Sequence, residues 1–543
     1  MYNDYGSIEK QKSEPAVRSR RKVRLVALVG VLLLGLVATY RRRGVVVLRS
    51  DKEEEFTSTT PGVQRYCWEG VCVFASNSYE RNLRRPIANG LYDGIILELF
   101  ETTRVEVLGE EDCEVSSDLE SVNYGGCRLD VTATKVGVFE LRSGRLKFEL
   151  VARYVRREVR DLTAVARSRL LDAIAVTHAV PDAVGQQMYG PRYRSAAWFT
   201  RQHHFWSSDR ECDHWHSGSG FVNNHLGFTR RYEQTLQEID EKIAMAYWDY
   251  TIEYVTRDCC WTESVLWSSD WFSTVSPNNS LHVVDSGRFA YLPIPKGNGN
   301  AYGNLMSPWN TDPTPFLTRS DSILGLKNYV NVPDFGCDEF RKIFLASHEY
   351  GGMIGAVSVS LHAPVHGAVG GYWNYIPELK ADEPELSRRL YNASSAINIA
   401  SKLLWRKGVL QCPSFCAPDT PAVDCACGGN DPVLAKHYQN FSPWDILNAT
   451  GCFESLKFSS EGEFDASDRN ATIWGIVLRQ ILNVGHLGQV VSDASPNDPI
   501  FWIIHGMQER FVQQLRYLND TGAWNFDQTW KTVSSSYYDC TTT

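Results

Sequence analysis

The chain has 543 residues, with 55 Lys and Arg against 64 Asp and Glu, for a formal charge of −9 when histidine is neutral. Its 43% hydrophobic and 22% charged residues are those of a globular chain, which excludes wholesale disorder. A net-acidic chain without a long basic tract argues against nucleic acid as a partner. Fourteen cysteines and 16 tryptophans are less ordinary, and 13 histidines are few enough that their positions must carry any metal argument.

Residues 1–22 read as a cytoplasmic tail ending in Arg18, Arg20, Arg21 and Lys22. Leu25 to Tyr40 carries no charge, and with Val23 and the snorkelling arm of Arg24 it makes residues 23–40 the expected transmembrane signal-anchor, short of the about 20 apolar residues a span prefers. Arg41, Arg42 and Arg43 follow, then Glu53, Glu54 and Glu55, so charge leans towards a cytoplasmic N-terminus. No small-x-small site precedes those arginines, which disfavours a cleaved signal peptide. Six N-x-S/T sequons, at Asn278, Asn392, Asn440, Asn448, Asn470 and Asn519, all lie beyond the anchor. Together with the cysteines they indicate a single-pass, type II glycoprotein of the secretory pathway with a lumenal or extracellular body. Cys67/Cys72, Cys113/Cys127 and the group Cys412, Cys416, Cys425, Cys427 read as local disulfide staples. The last group also has a zinc-knuckle spacing, which an oxidising compartment disfavours.

Residues 41–62 are charged, then Ser/Thr/Pro-rich, and read as a linker. Residues 63–151 read as a small β-rich module: "DGIILELFE" and "RLDVTATKVGVFELRSGRLKFELVARYV" mix apolar runs with partial alternation, and "RSG" makes a turn. No acid, base or nucleophile cluster marks the module, so scaffolding is its expected role, and no repeat of 20–50 residues appears. From Arg156 the period becomes helical, with Leu162, Ala166, Leu170 and Ile174 on one stripe and Asp161 as the expected cap.

In "YRSAAWFTRQHHFWSSDRECDHWHSGSGFVNNHLGFTRRYE", Ala196, Phe199 and His203 share one helical face. His216 and His225 are nine apart, so the Gly-rich "SGSG" must loop His216 back over the next helix, whose inner face is Phe228, Tyr232, Leu236 and Ile239. Three imidazoles from two helices and a loop suit one metal ion. In "VSVSLHAPVHGAVGGYW", His362 and His366 are four apart and adjacent on a helix, provided the helix begins near His362 so that Pro364 is tolerated. In "SPNDPIFWIIHGMQERFVQQL", Asp498 is the expected cap and Pro499 the first residue of a helix facing inward through Ile500, Phe501, Ile504, Phe511 and Leu515. His505 sits beside that stripe, where a lone histidine is more often a core residue than a ligand.

These blocks, "HSGSGFVNNHLGFTRRYE", "AMAYWDYT", HxxxH with "VGGYW", and "DPIFWIIHGMQER", resemble in content and order the tyrosinase and catechol oxidase (polyphenol oxidase) family of type-3 dicopper proteins, over roughly residues 156–515. The resemblance implies a mainly α fold: a four-helix bundle holding two copper ions, with loop-rich insertions, here preceded by the small β-rich module. It places the domain at 156–535 with a Cys-rich insertion at 367–495. It assigns the first copper to His203, His216 and His225 and the second to His362, His366 and His505, and no catalytic residue beyond these ligands. His178, His204, His214, His282, His348, His437 and His486 are left as structural or surface residues. Neutral nitrogen donors without a bridging carboxylate suit copper better than magnesium, manganese or calcium, and count against a zinc hydrolase. Some family members crosslink a cysteine to histidine in the first-site loop; Cys212 could do so, though a disulfide suits it better.

The family's monophenol hydroxylases often carry Asn after the first histidine of HxxxH and a carboxylate that deprotonates the phenol. Here Ala363 stands after His362, Ser358 and Val359 fill the turn before it, and Glu349 is 13 residues upstream of His362. The pair after the last histidine is Glu509-Arg510, and Phe501 and Trp502 read as core. The expected function is oxidation of o-diphenols, with dioxygen, to o-quinones by a membrane-anchored enzyme, monophenols being poorer substrates. The alternative is a non-catalytic oxygen-binding or structural secreted protein.

Overall fold

The computed structural model describes residues 60–529, except 69, 88–91, 111, 211–212, 217–219, 257–260, 296–313, 324–325, 328–335, 374–393, 414–416, 418, 422–426, 430–441, 450–470 and 484. The expected anchor at 23–40, Cys212, His437 and the sequons Asn392, Asn440 and Asn470 fall outside these residues. Asn278 and Asn448 are exposed, whereas Asn519 is half-buried and its Oδ1 accepts the Phe526 N–H at 3.0 Å.

Between Gln64 and Arg153 the chain forms β1 (Gln64–Trp68), β2 (Val71–Asn77), β3 (Gly94–Glu98), β4 (Thr103–Val107), β5 (Glu114–Val115), β6 (Glu120–Asn123), β7 (Arg128–Thr132), β8 (Gly137–Ser143) and β9 (Leu146–Arg153). They make two sheets, ordered β1-β2-β4-β7-β6 and β3-β9-β8-β5, in which only β3 and β9 pair in parallel. Inward residues of both, including Val73, Ile95, Leu97, Val105, Leu129, Phe148 and Leu150, fill one shared core, the way two half-buried sheets satisfy their apolar faces. The "RSG" turn joins β8 to β9 at Gly144, whose φ of +57° suits a residue without Cβ. Cys67–Cys72 closes the β1–β2 hairpin where the two residues pair in register, and Cys113–Cys127 ties the loop before β5 to the start of β7.

The module is seamed to the helical region by one buried and one exposed ion pair. The Arg157 guanidinium pairs with Glu98 at the end of β3 and lies 4.4 Å from the Tyr79 ring centroid. Arg85 pairs with Asp161 at 2.9 Å. That pairing corrects the expected cap: Asp161 ends a short 3-10 turn, and Thr163 caps α1 (Ala164–Ala179) by accepting the Ala166 N–H. Ser and Thr compete well for this position because the short hydroxyl reaches the N3 amide.

The site-bearing helices follow. They are α2 (Ala196–Ser207), α3 (Gly220–Ile239), α4 (Tyr350–Ala356), α5 (Ala363–Gly370), α6 (Ser394–Arg406), α7 (Ala471–Leu482) and α8 (Ile500–Asp520). The inner faces read from sequence are buried: Phe199 and His203 on α2, Tyr232 and Leu236 on α3, Ile504, Phe511 and Leu515 on α8. Two helix starts differ from expectation. Pro499 occupies the cap of α8 rather than its first turn, and Asp498 Oδ1 accepts the Ile500 N–H at 3.1 Å. The helix carrying His362 does not begin there, because Val357–His362 is a π-helical turn that joins α4 to α5 in one run. Its wider hydrogen-bond spacing (Ala363 N–H to Ser358 O) seats Pro364 without breaking the run. Tyr250 Oη donates to the Leu361 carbonyl at 2.9 Å. Among the described residues, the run Tyr350–Gly370 is the one helix long and apolar enough to span a membrane. About half of that window is buried inside the fold, so core packing already accounts for its apolarity.

Residues from α6 and α7, with Tyr372, Cys427, Ile446 and Leu487, form an apolar cluster of their own beside the main core. Cys412–Cys427 staples it, and a short ladder of Tyr372–Trp373 against His486–Leu487 closes it. The main core is pinned by Arg319, wholly buried, whose guanidinium forms a two-pronged pair with Asp498 at 2.6 and 2.8 Å. Asp498→Ala strands that buried cation, and the expected loss is about 3–5 kcal/mol of folding stability. Urea unfolding of the purified chain checks this; a loss below 1 kcal/mol, the range of an exposed pair, contradicts it.

Candidate metal centre

α2 projects His203 inward, and the adjacent His204 turns away to put Nε2 3.3 Å from the Ser208 hydroxyl. His216 comes from the turn before α3, and His225 from the second turn of α3. These three rings lie 5.0–5.6 Å apart between centroids. His362 closes the π-turn, His366 follows one turn on in α5, and His505 projects from α8, with centroids 4.2–5.5 Å apart. In each triad the ligand-capable nitrogens lie within 4.8 Å of one another. The triads abut: His225 and His505 stack face to face at 4.4 Å with 3° between their planes. Phe501 forms part of the floor, its ring 4.1 Å from His505 and 5.5 Å from His203, while Trp502 turns into the core and stacks on Tyr232.

Hydrogen bonds set the ring faces. Nδ1 of His203 lies 2.7 Å from the Asp493 carbonyl, that of His225 2.7 Å from the Phe221 carbonyl, and that of His366 2.5 Å from the Val490 carbonyl. Nδ1 of His505 meets Gln508 Oε1 at 3.1 Å, and Nδ1 of His216 meets the Asp213 carboxylate at 3.1–3.2 Å. Such oxygens only accept, so Nδ1 carries the proton and the Nε2 lone pair is left for the centre. Nε2 of His203, His225, His366 and His505 is buried without a hydrogen-bond partner, as is Nδ1 of His362. Five orphaned ring nitrogens in one place are what a bound ion would satisfy.

Burial, and then the neighbouring rings, hold five of the imidazoles neutral. Desolvation depresses His203 to about 3 and His366 to about 4, and it carries His225, His362 and His505 well below the usual histidine range. Burial would raise the Asp213 carboxyl, but His216 and Lys402 outweigh it and keep the group well below its ordinary value. Neutral imidazole is the form that binds a metal. With nitrogen donors alone in both triads, the donor set fits copper and offers nothing a magnesium or calcium site requires.

Among the other described histidines, His214 packs on Trp206, His282 on Trp373, and His348 on Trp524. Asp213, Lys402, Asp493 and Gln508 shape the site and were not singled out by sequence reasoning. Asp213 had a readable signal, a carboxylate three residues before His216; a main-chain carbonyl such as that of Asp493 or Val490 has none. Glu349 is exposed at the head of the Tyr350–Gly370 run, some 13 helical residues or about 20 Å from His362.

The family model described as the common central domain of tyrosinase matches residues 171–394, a stretch that includes five of the six triad histidines. Over these residues the chain carries a tyrosinase central domain. The chain is 28% identical over 162 residues to a tyrosinase of Streptomyces antibioticus, covering 29% of this chain and 54% of that protein. It is 27% identical over 162 residues to a tyrosinase of Streptomyces glaucescens (29% and 53%), and 31% over 84 residues to a tyrosinase-like protein of Pinctada maxima (16% and 17%). The matches thus span about half the length of the bacterial tyrosinases and a sixth of the mollusc protein.

The depressed histidines make a sign-definite prediction for the metal-free tyrosinase domain. Between the ordinary histidine value of 6.5 and about 4, the unfolded chain binds protons that the folded chain refuses. Stability is therefore full above pH 6.5 and is lost as pH falls towards 4. The thermal midpoint of chelator-treated protein should drop across that window, and His366→Gln should shallow the slope; a flat midpoint from pH 7 to 4.5 contradicts buried neutral rings.

Proposed function

We propose that this chain oxidises o-diphenols to o-quinones with dioxygen, using one copper ion held by His203, His216 and His225 and a second held by His362, His366 and His505. The observation that carries the reading is the meeting of two all-imidazole triads at the stacked His225 and His505 rings. Four of the six rings come from α2, α3, α5 and α8, which we read as the family's four-helix bundle. A bound copper pair would supply the two-electron redox chemistry between diphenol and dioxygen. The diphenol's two hydroxyl protons leave with the electrons, so two diphenols and one dioxygen give two quinones and two waters.

The protein's share is orientation and exclusion. The Nδ1 anchors fix five rings before any ion arrives, so little reorganisation accompanies binding. His216, 26% exposed at its side chain, and His366 are the two part-exposed triad rings, and we take the His216 side as the one from which a phenol would approach. Phe221, with its ring 5.4 Å from His362 and 5.0 Å from His225, provides an apolar wall for an aromatic substrate. Ala363 beside His362 has no acceptor to hold a water against a phenolic proton. Among the described residues Asp213 is the carboxylate against a triad ring, and His216, Lys402 and two main-chain N–H groups already occupy it. These two features support diphenols over monophenols. Three disulfides among the described residues support a lumenal or extracellular body.

Copper-loaded protein should turn over catechol at least tenfold faster than tyramine, with a lag on tyramine; lag-free tyramine oxidation at the catechol rate contradicts the preference. His362→Ala should lower bound copper from two ions to one per chain by elemental analysis, and a variant that keeps both breaks the assignment.

A further inference from the structure

Lys402 lies on α6, in a cluster remote in sequence from the first triad, and its side chain is wholly buried. Among the described residues its ammonium reaches the Ser207 carbonyl at 2.7 Å, Asp213 Oδ2 at 2.7 Å and Asp493 Oδ1 at 3.3 Å. Each leads to a first-triad ring. Ser207 is the last residue of α2, the helix of His203, and a cation there faces the carbonyl end of the helix. Asp213 accepts from His216 Nδ1 and from the main-chain N–H of Trp215 and His216. The Asp493 main-chain carbonyl accepts from His203 Nδ1. Two further contacts fasten α6 to the segment between α2 and His216. Arg210 donates to the Trp405 carbonyl at 3.4 Å with its guanidinium 5.1 Å from the Trp405 ring, and Arg406 donates to the Asp209 carbonyl at 3.2 Å.

We propose that Lys402 is a positioning residue of the first copper site, and that the subdomain carrying it is a structural part of that site. The inference rests on the copper reading above. Asp213 and Asp493 are both almost fully withdrawn from water. Removing the ammonium takes away the shared donor that fixes the Asp213 carboxylate, the Asp493 side chain and the end of α2, which loosens the acceptor that orients His216 and the segment that orients His203. Loss of such an outer partner typically lowers metal affinity by about 10–100-fold. Rings of the second triad are anchored by Val490 and Gln508, which the ammonium does not touch, so the loss should be confined to the first site.

The test is copper titration of the metal-free full chain against a competing chelator, with elemental counting and paramagnetic resonance for isolated cupric ions. Wild type should bind two ions. Lys402→Met should keep one at wild-type affinity and bind the other about 10–100-fold more weakly, with an isolated cupric signal at one equivalent. His362→Ala alone should keep one tight ion, and His362→Ala with Lys402→Met none, which assigns the weakened site. If Lys402→Met does not fold, Lys402→Met with Asp493→Asn removes one charge of each sign, leaves the local balance unchanged, and should still show the weakened first site. Two ions at wild-type affinity in whichever of these variants folds overturn the role of Lys402. A wild-type chain that binds no copper overturns the functional reading, and this inference with it.

Discussion

Six imidazoles held close together and largely away from water are the constraint around which the tyrosinase domain is arranged. A buried histidine must stay neutral, and a neutral ring must place one N–H and one lone pair. Main-chain carbonyls meet the N–H requirement for His203, His225 and His366, a glutamine for His505, and a carboxylate for His216. With those protons placed, the lone pairs point by default to the space between the rings. Among the described residues no carboxylate joins either triad, so the donor set offers nothing a magnesium site requires.

The acceptors come from far along the chain, and this gives the surrounding fold its purpose. Val490 lies in a 3-10 turn and Asp493 in the turn after it, just ahead of α8, and that stretch is held by Arg319 on Asp498 and by the Thr200 hydroxyl on Asn497. The π-turn before α5 serves the same end: it carries His362 to the inner face while passing Pro364, and Tyr250 takes the Leu361 carbonyl. The β module joins the helical region through Arg157 with Glu98 and Arg85 with Asp161.

Periodicity made much of this readable. His203, Phe199 and Ala196 follow one helical stripe, and all three are buried; the Gly-rich stretch after His216 does precede a helix that carries His225 in its second turn. The misreadings are local competitions that pattern cannot settle. Asp161 and Thr163 are both good caps, and Asp161 was drawn off by Arg85, a partner 76 residues away. Pro364 predicted a helix start because an α-helix interior rejects proline, but a π-turn changes the hydrogen-bond spacing that the rule assumes. His203 and His204 are chemically identical neighbours, and only the direction of the α2 face separates them.

By itself the amino-acid sequence determined which side chains could serve: six histidines at helical and loop spacings, the apolar stripes that turn them inward, and the cysteines that close hairpins. Those are properties of residue type and short-range period, which the chain carries wherever it goes. Tertiary structure decided the rest, namely which nitrogen of each ring faces the centre, that His225 and His505 stack where the triads meet, and that Lys402 sits between two carboxylates behind the first triad. Ring orientation depends on main-chain carbonyls, which every residue possesses alike, and a buried ammonium depends on partners nearly 200 residues distant. Neither leaves a mark in the order of the amino acids.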